Sequence, residues 1–444
     1  MSDWTKKAVF YHIYPLGFCG TPFENHYEKP AINRIEKVIN WIPHLKELGI
    51  NAIYFGPLFE AKTHGYDTTD YTRLDSRLGD NTHFKNVCQK LHKAGIKVVV
   101  DGVFNHVGRD FFAFKDLQQN GNRSRYKDWF KNVNFGGRSP LGDDFYYEAW
   151  EGHFELVKLN LWNQEVRDYL FKAIESWIDE WDIDGIRLDV AYCLDESFLR
   201  ALRRFVDSKK EDFWLMGEMI HGDYRKLIQP GALDSATNYE CYKGIYSSHN
   251  DKNYFEINHS LNRLFAQGGL YQDLDLYNFV DNHDVSRIAS ILKEKCHINN
   301  VYTMLFTMPG IPSIYYGSEW QVAGSKEKNS DQSLRPELDL EEMLKRDQSL
   351  THHIYELANL RIHYKALSEG RYEQVMVRNE QLIFARVAAS SRVYVALNLA
   401  ENAITLKMNG SKEEQLISVL GEKEELSYEN GEYIIPLPAF SAKI

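Results

Sequence analysis

The chain contains no apolar run approaching the roughly 20 residues that a membrane-spanning helix needs, which excludes a bilayer-spanning protein of the helical kind. Its opening, MSDWTKKAVFYHIYP, lacks an apolar signal core followed by a small-residue cleavage site. A cytoplasmic location is therefore expected, with a mature secreted chain stripped of its signal as the alternative. Cysteine is sparse and unpatterned. Cys19, Cys88, Cys193, Cys241 and Cys296 are odd in number, scattered and free of CxxC spacing, which argues against a disulfide framework and against a zinc site. Basic charge is in deficit: 52 Lys and Arg against 63 Asp and Glu leave a formal net charge of −11. Nucleic acid needs a basic surface, so it is excluded as a partner, whereas neutral substrates are not. Helical repeats and low-complexity tracts are also missing, and oligomeric state is left open.

What is present is the composition of a globular protein, 43% hydrophobic and 26% charged, with an excess of rings: 27 Tyr, 24 Phe and 9 Trp. Aromatic rings fill cores, and they also suit the flat faces of sugars. With 444 residues, one large domain and an appended smaller one are expected.

Short apolar runs alternate with helical patterns over most of the length. AVFYHIYPLGF precedes the amphipathic INRIEKVINWIPHLKELG, then NAIYFGPLF, the helix HFKNVCQKLHKAG and the strand IKVVVDGVF. Strand, helix, strand at this spacing predicts a parallel sheet. After Asn105 and His106 the rhythm breaks into a polar, aromatic excursion. It resumes with NQEVRDYLFKAIESWIDEWD, GIRLDV, ESFLRALRRFVDSKK and FWLMGEM, with further strands expected in LDSATNYECY, LYNFVDN and PSIYYGSEW. Eight strands predict an α/β fold, a (β/α)8 TIM barrel. Beyond the helix HIYELANLRIHYKAL the pattern turns to period two, as in QLIFARVAA and RVYVALNLA, which predicts a closing antiparallel β-sandwich. The expected division is a barrel over 1–106 and 157–368, an inserted subdomain over 107–156 after the third strand, and a β-sandwich domain over 369–444.

The stretch DGIRLDVAYC, residues 184–193, poses a question: a strand that should be buried carries Arg187 and Asp189 on one face and Ile186, Leu188 and Val190 on the other. Barrel active sites form where strands end. Polar residues gather at four such ends: Asp101, Asn105 and His106 in DGVFNH, Arg187 and Asp189, Glu218 in MGEMIHG, and His283 with Asp284 in FVDNHD. One strand-end aspartate ordinarily caps a helix. Three acids converging on one mouth suit glycoside hydrolysis, with one carboxylate attacking and another protonating the leaving oxygen. Arg187 would favour the ionised form of Asp189, the apolar approach FWLMGEM would keep Glu218 protonated, and Asp284 could bind sugar hydroxyls.

The ordered set DGVFNH, GIRLDVA, GEM and FVDNHD resembles the α-amylase family, glycoside hydrolase family 13, from about Tyr11 to the carboxyl end. The resemblance implies Asp189 as nucleophile, Glu218 as general acid/base and Asp284 as transition-state stabiliser, with Arg187, His106 and His283 lining the same subsite. GYDTTDY is similar to the family's early tyrosine motif, which makes Tyr66 a stacking platform and leaves Asp67 and Asp101 structural. ELVKLNLWNQEVRDYL and YKDWF resemble the cyclomaltodextrinase, neopullulanase and maltogenic amylase branch, although Val157 stands where that branch has proline. Enzymes of that branch carry an extra N-terminal β-domain, whereas this sequence starts at the first barrel strand. The chemistry requires no cofactor. Many secreted members bind a structural calcium through the asparagine corresponding to Asn105, an inserted-domain aspartate and the backbone of a histidine that DVAYCL lacks, so calcium near Asn105 is an open expectation.

The leading expectation is a retaining hydrolase of α-1,4 bonds in maltooligosaccharides or starch-type glucans. Transglycosylation and α-1,6 activity share every catalytic residue and stay open. A degenerate carbohydrate-binding barrel is the alternative from another class, and the persistence of all three acids weighs against it. In GSEWQVAGSKEKNSDQSLRPELDL, Arg335 and Asp339 could touch substrate or hold the loop.

Overall fold

A computed structural model describes residues 3–27, 30–328 and 330–444. Eight parallel strands form the central sheet: β1 (Phe10–Ile13), β2 (Ala52–Phe55), β3 (Lys97–Gly102), β4 (Gly185–Leu188), β5 (Trp214–Gly217), β6 (Ser235–Ala236), β7 (Tyr277–Asn278) and β8 (Ile311–Tyr315). Their order is β6-β5-β4-β3-β2-β1-β8-β7. The remaining gap between β6 and β7 is closed by a parallel bridge from Thr237 to Tyr277 and by Asn238 N–H donating to the Tyr277 carbonyl at 2.9 Å. The sheet is therefore a barrel of the expected kind, with helices such as Lys37–Glu47, Asn81–Lys93, Gln164–Trp181 and Glu196–Lys209 around it.

Two expected strands shrink. LDSATNYECY supplies only Ser235–Ala236 before turning into the helix Tyr239–Asn250, because the Asn238 side chain accepts the Cys241 N–H and caps that helix. LYNFVDN likewise contributes only Tyr277–Asn278.

Alternation along each strand explains the buried charges of GIRLDV. Outward residues, among them Ile53, Val98, Val100, Ile186, Leu188 and Leu215, join the large cluster under the helices. Inward residues at the amino ends, including Phe10, Ala52, Val99 and Trp214, form a separate apolar plug. Further along the same inward rows stand Tyr54, Asp101, Arg187 and then Glu218, all buried. The barrel interior is thus apolar at its amino end and ionic at its carboxyl end.

The excursion after β3 builds a three-stranded antiparallel sheet in which His106–Gly108 pairs with His153–Lys158 and Ala149–Trp150 flanks them. Arg109 holds its far loop by two bonds to Asp143, at 2.8 and 2.9 Å. At the carboxyl end, a four-stranded sheet contains Arg371–Val377, Gln381–Ala388, Ser391–Asn398 and Ser441–Lys443, and a three-stranded sheet contains Ile404–Asn409, Tyr428–Glu429 and Glu432–Leu437. Ile383 and Ala396 meet Leu406, Met408, Tyr433 and Ile435 between the sheets, whereas Leu382 and Phe384 face the barrel. Among the described residues, no helix is long and apolar enough to cross a membrane.

Candidate active site

A cavity of about 1050 Å³ opens at the carboxyl edge of the barrel. Its wall includes Tyr66, His106, Asp189, Glu218 and Asp284, so residues spanning much of the chain's length come together as expected. Arg187 and His283 also converge there, but the structure places them one layer behind the wall, 3% and 2% exposed. Both side chains contact the carboxylates that line it.

Arg187 serves three acids rather than Asp189 alone. Nη1 donates to Asp189 Oδ1 at 2.8 Å and to Asp101 Oδ1 at 2.9 Å, while Nη2 lies 3.0 Å from Glu218 Oε1. Asp101 also accepts from the hydroxyls of Tyr54, at 2.9 Å, and Tyr66, at 3.1 Å. It is a structural hub that fixes the guanidinium and the tyrosine together.

One cation among three buried carboxyls leaves an excess of negative charge. Burial pushes both Asp189 and Glu218 up from the usual carboxyl range, and the Arg187 guanidinium opposes that rise in each. Neighbouring negative charge adds to the rise, from Glu218 and Asp101 at Asp189 and from Asp284 at Glu218. Asp284 differs. Burial would raise it too, but His283, with Nε2 at 3.0 Å, and Arg335 override that and hold its carboxyl well below the usual range. The site combines one carboxyl held low with two that burial holds high.

Local backbone geometry aims the acids. Val190, directly after Asp189, adopts φ 40° and ψ 47°, a left-handed conformation that a β-branched residue rarely takes. That kink ends β4 and turns the Val190 N–H onto Glu218 Oε2 at 3.0 Å. The two carboxyls are therefore linked twice, through one guanidinium and through one peptide.

The rings complete the wall. Tyr66 stacks against His283, with centroids 5.6 Å apart and planes at 13°, and its hydroxyl also touches the His283 Nε2. His106 is buried, and burial lowers it to about 3, so its imidazole is neutral. Asn105 Nδ2 donates to His106 Nδ1 at 3.1 Å, which leaves the proton on Nε2. That Nε2 is itself buried, on the side of the Tyr66 backbone, while other atoms of the residue line the cavity.

Arg335 is the residue whose importance the sequence understated. Nη2 donates to Asp284 Oδ1 and to Asp331 Oδ2, both at 3.0 Å, Nε donates to the His283 carbonyl at 3.0 Å, and the guanidinium lies 4.4 Å from the Tyr14 ring centre. Arg335 and Tyr14 both line the cavity, as do Tyr192, Tyr239 and Trp150. None ends an apolar run with an acid, so strand-end reasoning had no signal for them. Asp339 holds its loop instead, capping Leu340–Leu344 through the Glu342 N–H.

The surroundings of Asn105 do not fit a divalent cation. Its amide nitrogen faces a ring nitrogen, the Lys158 ammonium on the strand paired with His106 binds Glu148 at 2.7 Å, and no group of three or more His, Cys, Asp or Glu among the described residues could hold a metal.

The catalytic-domain model of the α-amylase family matches residues 28–355. A maltogenic α-amylase of Bacillus acidopullulyticus is 30% identical over 97% of this chain and 76% of its own length. A cyclomaltodextrinase of Thermoanaerobacter pseudethanolicus is 30% identical over 92% of this chain and 72% of its own. Among solved structures, the cyclic α-maltosyl-(1→6)-maltose hydrolase of Arthrobacter globiformis superposes with a TM-score of 0.83 at 25% identity, covering 99% of this chain and 98% of that one. With the family match spanning most of the barrel and its acids gathered at one rim, the chain belongs to the α-amylase family of glycoside hydrolases.

Proposed function

We propose that the protein hydrolyses α-1,4-glucosidic bonds of maltooligosaccharides or starch-type glucans with retention of configuration. The observation that carries this reading is the pairing of Asp189 and Glu218 on the two terminal nitrogens of one guanidinium. This keeps the carboxyls close, in keeping with the ~5–5.5 Å separation of retaining enzymes. Asp189 attacks the anomeric carbon as the glycosidic C–O bond breaks, and the Glu218 proton passes to the leaving oxygen. Glu218, now a carboxylate, takes a proton from water, whose oxygen attacks the same carbon and releases Asp189. Asp284, kept anionic by His283 and Arg335, accepts hydrogen bonds from ring hydroxyls and favours positive charge developing at the anomeric centre. Tyr66 stacks on the ring at the point of cleavage, and His106 lines the same subsite.

The α-1,4 preference rests on the maltogenic relative. The solved relative named for a cyclic 1→6-linked substrate supports α-1,6 cleavage as the second reading. Incubation with maltotriose, panose, pullulan and cyclodextrin separates the two. Maltotriose is expected to be cut faster than the 1→6 bond of panose, its first product is the α-anomer by NMR, and a chelator leaves the rate unchanged. Release of the β-anomer overturns the mechanism.

Arg335 supplies a second check. Arg335→Ala removes a charged hydrogen bond from Asp284, and such bonds contribute about 1.5–3 kcal/mol, so kcat/KM on maltotriose is expected to fall about 10- to 100-fold. A fall below threefold would mean that the arginine only anchors its loop.

A further inference from the structure

A second cavity, about 730 Å³, continues from the first over the outer face of the barrel, and the two share Ile220 and Tyr239 as wall residues. It is a trough between two helices, Tyr239–Asn250 and Phe255–Phe265. Tyr239, Lys243 and Ser247 recur every four residues on the first and so share a face, spanning about 12 Å at 1.5 Å per residue. Phe255 and His259 stand four apart on the second. The helices approach closely beneath: a Cβ at Gly244 would lie 3.0 Å from Ile257, so the floor is shallow and the walls do the lining.

The lining is of mixed character. Ile220 is 44% exposed and Phe255 46% exposed, so the lining presents two large apolar side chains. Between them stand Ser247, Asn253, His259 and Ser260, short donors and acceptors suited to hydroxyls. The lining carries charges of both signs, since Glu240 pairs with Arg263 and the cation Lys243 stands opposite in sign to Glu256. Neither an anion nor a cation is favoured, while a neutral ligand with one apolar face and many hydroxyls is.

The place of the trough says which part of the ligand enters. It departs from Ile220, two residues after Glu218, and the acid stands beside the leaving group. We propose that this trough holds the leaving-group side of an α-glucan chain beyond the scissile bond, making the enzyme selective for long substrates. The proposal rests on the function given above and extends it. Phe255 stacks on a pyranose face, and His259 and Lys243 bond its hydroxyls.

The test compares maltoheptaose with maltotriose. Phe255→Ala and His259→Ala, both at exposed positions, are each expected to lower the ratio of kcat/KM for maltoheptaose to that for maltotriose, Phe255→Ala by about three- to tenfold. The loss should fall in KM for maltoheptaose and leave kcat in place. A ratio unchanged in both variants overturns the trough. Failure of the wild type to cut maltotriose or maltoheptaose would instead overturn the hydrolytic reading. The trough is then judged by calorimetric titration of maltoheptaose into the Glu218→Gln protein, where adding Phe255→Ala must weaken binding by the same factor, and equal affinities refute it.

Discussion

Replacing Glu218 by glutamine is expected to cut kcat/KM on maltotriose by about 10²–10⁴-fold, the range ascribed to a positioned general acid, and at the same time to raise the melting temperature at neutral pH. The two effects have one origin. Burial raises the Glu218 carboxyl, so the folded protein binds that proton more tightly than the unfolded chain does. The favourable contribution of such a group is complete below its unfolded value of about 4.3 and is lost as pH rises through the higher folded value. At neutral pH the group therefore opposes folding, and a permanently neutral amide removes that opposition. The thermal gain of the variant should shrink as pH falls and vanish in the acid range. In the wild type, the alkaline limb of the rate profile should lie above the ordinary carboxyl range and disappear in the variant. Equal melting temperatures at neutral pH, together with an unmoved alkaline limb, would show that Glu218 carries no displaced proton. Asp284 has the opposite sign. Its lowered carboxyl stabilises the fold above about pH 4 and loses that contribution as pH falls through its folded value, so acid weakens the protein through Asp284 while relieving Glu218.

Arg187→Ala is expected to lower the unfolding free energy by about 3–5 kcal/mol at neutral pH, the cost of leaving buried charge without its partner. Asp101, Asp189 and Glu218 all depend on that guanidinium, and none is more than 6% exposed. Denaturant titration with a constant m-value measures the loss. The penalty should lessen as the carboxyls protonate at lower pH, and Asp101→Asn in the same chain should restore part of it. A loss under 1 kcal/mol would mean that water reaches the cluster and that the cation is dispensable. Activity should vanish together with the stability, since Arg187 orients Asp189 and Glu218.

Strand alternation and strand ends are local properties, and they carried far. Period two in GIRLDV already placed Arg187 and Asp189 on one face, and the 2.8 Å contact between them follows from it. The ends of β3, β4, β5 and the segment after β7 supplied Asp101, Asp189, Glu218 and Asp284 in one rim. Local pattern failed where a short polar cap competes with an apolar run. Asn238 turns the end of LDSATNYECY, from Tyr239 on, into a helix, yet the same residue reaches across to Tyr277 and closes the barrel.

Chain order and side-chain alternation determined the barrel, the antiparallel closing sheets and which carboxyls meet at the rim, because each depends on neighbours a few positions away. Only the tertiary fold decided who shares a cation with whom. Three carboxyls divide Arg187, and Arg335 crosses 321 positions to stack on Tyr14 while it holds Asp284. The physical reason is burial: in water these charges would be screened and indifferent to one another, and packing them behind one wall makes each proton depend on its neighbours.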